Sequence, residues 1–95
     1  MLRPAPFSAN TGSVRAVISN HVAEQLAAAP DVIAKAFFKQ LAHLLRDRRH
    51  PSLDAKKYAE AGADIWQARI TRKWRFYFKI EADTYIITNA VEHPK

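Results

Sequence analysis

Hydrophobic positions along the chain change their spacing from helical to alternating near residue 65. That change separates a helical part from a stranded part. In the first part Ile33, Phe37, Leu41, Leu44 and Leu45 recur at three- and four-residue intervals, which is one face of an α-helix. Phe38 widens the stripe. Asp31 is expected to cap this helix. Its cationic end, Arg46-Asp47-Arg48-Arg49-His50, precedes Pro51 and suits the negative end of the helix dipole. A shorter helix is expected before it. Ser19 and Asn20 offer a side-chain oxygen to a free amide, and Pro30 stops the helix at about Ala29.

From Trp66 onward the period is two. Trp66, Ala68 and Ile70 alternate with Gln67 and Arg69, and Trp74, Phe76, Phe78 and Ile80 alternate with Lys73, Arg75, Tyr77 and Lys79. A third strand, about 84–91, is apolar on both sides. Val14–Ile18 alternates weakly and is β-branched, which predicts a short N-terminal strand. Residues 1–13, with Pro4, Pro6 and Gly12, are expected to form a flexible arm ahead of a single domain over 14–95. Residues 51–64 are expected to be a loop. The predicted class is α+β, an N-terminal strand and an α-helical hairpin packed on a small antiparallel sheet.

The register of the first hairpin can be read as well. A three-residue connection (Thr71, Arg72, Lys73) sets Ile70 opposite Trp74 and Ala68 opposite Phe76, all facing the core. The same register sets Arg69 opposite Arg75 and Gln67 opposite Tyr77 on the polar face. Opposed arginines are destabilising by themselves. Residues 69–79 hold five cations (Arg69, Arg72, Lys73, Arg75, Lys79) and no acid, so an anionic partner is expected there. Tyr77 adds a surface on which a base could stack.

Composition narrows the function classes. Lys and Arg number 15 against 9 acids, a net charge of +6, which favours a polyanionic partner. There is no cysteine, which excludes disulfides, a thiol nucleophile and Cys-based zinc sites. Two glycines fifty residues apart build no phosphate loop. Four scattered histidines make a poor metal set, and no metal or cofactor is expected. The proline-rich start is unlike a signal peptide, and no apolar run approaches the ~20 residues of a membrane span. A cytoplasmic protein is expected, with no membrane partner.

His50-Pro51-Ser52-Leu53-Asp54-Ala55-Lys56-Lys57, Asp64-Ile65-Trp66-Gln67-Ala68-Arg69-Ile70 and Arg75-Phe76-Tyr77-Phe78, in this order, resemble the RelE/ParE superfamily of bacterial toxins from toxin–antitoxin pairs. The resemblance spans about residues 14–93 and is nearest the RelE-like group with YafQ-type and HigB-type messenger-RNA interferases. It implies a twisted antiparallel sheet on a helical hairpin, an acidic cognate antitoxin, and cleavage of mRNA in the ribosomal A site. The ParE-like branch instead inhibits DNA gyrase, and a degenerate relative would bind RNA or antitoxin without catalysis.

Carried over by position, His50 resembles a histidine after the second helix of YafQ-like toxins. Arg69 and Arg75 resemble strand arginines of the family. His93 falls where relatives place a catalytic residue after the last strand, although the tail Asn89-Ala90-Val91-Glu92-His93-Pro94 departs from the usual pattern. Metal-independent RNA cleavage needs a proton taken from the 2′-hydroxyl, one given to the leaving 5′-oxygen, and cations on the phosphate. His50 and His93 are the candidates for proton transfer, with Arg69 and Arg75 completing the catalytic set. Lys56, Lys57, Arg72, Lys73, Tyr77 and Lys79 are the candidates for RNA and phosphate contacts. Asp54 and Asp64 read as turn and surface acids, His43 as a surface or satisfied core residue, and Trp66 and Trp74 as packing groups.

Overall fold

The computed structural model describes residues 7–11, 14–58 and 64–93. The element order is β1 (Phe7–Thr11), β2 (Val14–Ile18), α1 (Asn20–Ala28), α2 (Asp31–Arg46), a 3₁₀ turn (Pro51–Leu53), β3 (Lys56–Lys57), β4 (Trp66–Arg69), β5 (Trp74–Glu81) and β6 (Thr84–Glu92). Two helices pack on one face of a sheet, as the change of period predicts.

Ser19 caps α1, its hydroxyl accepting from the Val22 amide at 3.2 Å. Pro30 forces Ala29 into extended backbone, and α1 ends there. Asp31 does not cap α2. Pro30 holds the cap position without a side-chain hydrogen bond, and Asp31 is the first helical residue, where its charge suits the dipole. The helix stops at Arg46, four residues before the expected His50. Ile33, Phe37, Leu41 and Leu44 are buried as the stripe requires, but Phe38 is 40% exposed and lies at its rim.

The sheet order is β1-β2-β6-β5-β4-β3. β2 runs parallel to β6 (Ala16 opposite Tyr85, Ile18 opposite Ile87), and the other neighbours are antiparallel. The sheet is therefore mixed rather than wholly antiparallel. The helical hairpin provides the crossover that a parallel pair needs. β6 consequently has hydrogen-bonded neighbours along both of its edges.

The arm expected over 1–13 contains β1, with Thr11 opposite Val14 and Phe7 opposite Ile18. The physical reason is the free edge of β2, whose backbone groups need partners. The two-residue spacing around Gly12-Ser13 is the sequence signal for such a hairpin. The remaining arm residues lie outside the described part.

The core joins both layers. Phe37 of α2 meets Phe76 of β5 edge to face at 5.2 Å, and Phe78 meets Tyr85 in the same way at 5.5 Å. Ala68, Phe76, Phe78 and Ile87 have no exposed surface. Trp66 and Trp74 pack against this core from its margin. Among the described residues, no helix is long and apolar enough to cross a membrane.

One irregularity shapes the other face. Tyr77 pairs with Asn89 but Phe78 pairs with Ile87, so Thr88 is an extra residue in β6. The bulge reverses the parity of the strand. Tyr85 and Ile87 point into the core before it, and Ala90 does so after it.

Candidate functional site

The face turned away from the helices carries most of the candidate residues. Arg69 lies opposite Arg75, and Gln67 opposite Tyr77, in the register expected. Lys56 lies beyond Gln67 on β3, which extends this second row to Lys56, Gln67, Tyr77 and Asn89. Neighbouring strands are ~4.8 Å apart and alternate residues along a strand ~6.6 Å apart, so the two rows form one continuous patch.

The two arginines have separate oxygen partners. Arg69 Nη2 lies 3.6 Å from the Asp54 carboxylate, and Lys56 Nζ lies 3.8 Å from the same oxygen. Arg75 turns onto the β4–β5 loop, its Nη1 donating to the carbonyls of Thr71 (2.7 Å), Arg72 (3.0 Å) and Trp74 (3.1 Å). Oxygens of the chain itself meet both charges and so offset part of their repulsion. The reason is positional. Asp54 follows the 3₁₀ turn in the left-handed region (φ 48°) and reaches the sheet from a loop outside the acid-free window. Arg69 Nε is buried without a hydrogen-bond partner, while the side chain as a whole is 43% exposed.

His50 caps the 3₁₀ turn. Its Nδ1 accepts from the Ser52 amide at 3.2 Å and lies 2.9 Å from the Ser52 hydroxyl. The amide contact makes Nδ1 the unprotonated nitrogen, which leaves Nε2 free for chemistry. The ring stacks on His43 at 3.9 Å. Desolvation, then the neighbouring charges of His50, Lys39 and Arg46, hold the His43 pKa below the usual histidine value of 6.5. His50 also lines a cleft of about 420 Å³ with Arg48, Arg49, Asp54 and Trp66. The Arg48 guanidinium lies 5.3 Å from the Trp66 ring centre.

His93 follows β6, and its amide donates to the Lys73 carbonyl. That bond ties the tail to the loop holding Arg72, Lys73 and the Arg75 clasp. Among the described residues, no hydrogen bond or ring contact joins His93 to His50. The two proton-transfer candidates thus sit on different elements, His50 at the 3₁₀ turn and His93 beside the β4–β5 loop. Lys57 pairs with Asp64 at 3.6 Å and is opposite Trp66, outside the Lys56–Tyr77 row. Arg72 and Lys73 are exposed on the loop.

Several contributors escape sequence reasoning. Gln40, nearly buried within the apolar face of α2, donates to the carbonyls of Ser52 (3.0 Å) and Arg69 (2.9 Å) and accepts from the Ser52 hydroxyl (3.3 Å). It joins α2, the His50 turn and β4. A second depression, about 490 Å³, is lined by Tyr58, Ile65, Tyr77, Lys79, Thr88, Asn89 and Val91. Tyr58 and Tyr77 meet there at 5.3 Å with rings tilted by 50°. Gln40 had one signal, a lone polar residue in a hydrophobic stripe. Tyr58 and Asn89 had none, because a loop and a bulge bring them to the sheet face.

No family model matches the chain, and no curated protein matches it in sequence. Solved structures do match in fold. A YoeB/ParE toxin from Agrobacterium tumefaciens superposes with a TM-score of 0.68 at 13% identity, covering 83% of this chain and 98% of that one. A chain of the archaeal RelE-RelB complex from Pyrococcus horikoshii gives 0.71 at 17% identity, covering 87% and 98%. A copper-bound mutant toxin from Helicobacter pylori gives 0.59 at 10% identity, covering 82% and 92%. The fold is that of RelE/ParE-like toxins, as the sequence motifs implied.

Proposed function

We propose that this chain is the toxin of a toxin–antitoxin pair and that it cleaves messenger RNA on the ribosome, inhibiting translation. The observation that carries the reading is the gathering of Arg69, Arg75, Lys73 and His93 at the hairpin end of the uncovered sheet face. The toxin fold of the neighbours supports the first part of the reading, and the RelE-RelB complex among them supports an antitoxin partner.

The chemistry runs on groups of the chain. The attacking 2′-hydroxyl gives up a proton, its oxygen bonds to the adjacent phosphorus, and the bond to the 5′-oxygen breaks. The leaving oxygen takes a proton, and a cyclic phosphate remains. His93, exposed beside Lys73, is the better placed group for one proton step, because His50 has already committed Nδ1 to its turn. His50 Nε2 is the second candidate. Arg69, its side chain 43% exposed, can turn its Nη groups to the phosphate in place of Asp54, and Arg75 is held at the same end by its carbonyl clasp. Lys56, Tyr77 and Lys79 continue the track for the strand. A ribosome would supply the substrate positioning that a small site lacks.

The test is controlled expression with translation, DNA supercoiling and message ends followed together. In-frame message cuts with loss of translation, abolished by Arg75→Ala, support the nuclease. Blocked supercoiling with intact messages assigns the chain to gyrase inhibition instead. A second reading, binding without catalysis, draws on the Asp54–Arg69 pair and the separation of the histidines. It is favoured if neither effect is seen while antitoxin still binds.

A further inference from the structure

The depression between β3 and the end of β6 has an apolar floor and a set of uncommitted donors. Tyr58, Ile65, Tyr77 and Val91 supply the apolar surface, and Lys79 lies among them. The amide of Asn89 lies at its side, and its orientation follows from the bonds around it. The Ala90 amide donates to Gln25 Oε1 at 2.8 Å, which fixes that end of Gln25 as the acceptor. Gln25 Nε2 is then the donor, and it points at Asn89 Oδ1 (3.4 Å), with His21 Nε2 3.3 Å from the same oxygen. Oδ1 is therefore turned to α1, and Nδ2 is the end left for a ligand.

We propose that this groove takes a single nucleobase of the RNA, with Asn89 Nδ2 donating to an acceptor atom on its edge. The inference rests on the nuclease reading and names the feature of that surface that discriminates sequence. Three observations choose a nucleotide as occupant. The aromatic pair provides stacking surface. Lys79 in the groove and Lys56, Arg69 and Arg75 on the adjoining rows form a continuous cationic track for the flanking phosphates. A net charge of +6 gives the same complementarity over the whole chain. The volume, about 490 Å³, is open enough for one planar ring system with its sugar. Gln25 acts as a positioning residue: it never reaches the groove but holds the Asn89 amide in one orientation.

The test uses the full chain on ribosomes programmed with messages randomised across the cut site, the cut ends being sequenced. The wild-type chain should prefer, at one position, guanine or uracil, whose O6 or O4 carbonyl accepts from Asn89 Nδ2. Asn89→Asp replaces the donor with an acceptor and should shift preference at that position alone, by about tenfold, toward adenine or cytosine, whose N6 or N4 amine donates. Gln25→Ala should flatten the preference at that position while leaving the total rate within about threefold. Arg75→Ala should lower all cuts together. Cuts with an unchanged profile in both Asn89→Asp and Gln25→Ala, each confirmed folded by its melting curve, overturn the groove and leave the nuclease standing. Absence of cuts by the wild-type chain overturns both. Wild-type cutting blocked by an antitoxin peptide, together with unaltered base preference in the two variants, would assign the groove to that peptide instead.

Discussion

Arg69 and Arg75 stand opposite each other on β4 and β5, yet one guanidinium is met by the Asp54 carboxylate and the other by the carbonyls of Thr71, Arg72 and Trp74. Charge that would separate the strands is instead used to fasten a loop to the sheet at each end of the pair. On the proposed reading, a phosphate oxygen competes with the Asp54 carboxylate for Arg69.

Removing that carboxylate tests the competition. Asp54→Asn should tighten binding to single-stranded RNA several-fold and steepen its salt dependence by about one counterion, because Arg69 and Lys56 are released together. Stability should change by less than about 1 kcal/mol, as both pairs are substantially exposed. Fluorescence anisotropy across a salt series and a urea melt measure the two effects.

Arg75→Ala should act in two ways. It removes a hydrogen-bonded clasp on the β4–β5 loop, costing about 1–2 kcal/mol in denaturant unfolding. It should also abolish cell growth arrest on expression. Arg75→Lys restores the charge without the planar fork and should recover little of either.

Gln40→Ala should be the most destabilising polar substitution of the set. It strips a partner from the Ser52 and Arg69 carbonyls in a nearly buried setting, an expected cost of about 2–4 kcal/mol. Gln40→Leu should be no better, since the carbonyls still lack a donor. Thermal and urea unfolding, read by the tryptophans, decide it.

Acid should weaken the fold through His43. Its folded pKa is lowered, so the unfolded chain binds the proton more readily. The contribution is complete above the unfolded value near 6.5, and it is lost as pH falls below that value toward and past the folded pKa. The wild-type melting temperature should therefore fall more steeply between pH 7 and pH 5 than that of His43→Gln. Parallel slopes would exclude the effect.

The hairpin was legible because period-two alternation admits one parity, and parity placed Arg69 and Arg75 on the same face. The α2 stripe was legible for the same reason at a different period. The parallel pairing of β2 was not. Val14–Ile18 is five residues long, and its neighbour in the sheet is set by where the helical hairpin returns the chain. Site geometry was half legible. Residue types at 69, 75 and 77 announced a polyanion, whereas Asp54 acts from fifteen residues away through a left-handed turn that side-chain pattern does not encode. The capping role of His50 follows from its position before proline, and the bond to Ser52 accounts for one of its two nitrogens.

The extra residue at Thr88 works like a shift of reading frame within β6. Upstream of it, odd-numbered positions serve the interior, and downstream an even-numbered one does. Loss of that one residue would leave Phe78 opposite Ile87, Tyr77 opposite Asn89 and Phe76 opposite Ala90 in an unbroken register, with Ala90 still turned inward. A single-residue deletion should therefore be tolerated at Thr88 better than at Ile86, where it would turn one side of the strand over, as thermal melts of the two variants would show. The bulge is thus the place where β6 can change its length by one residue without changing which of its side chains face the interior.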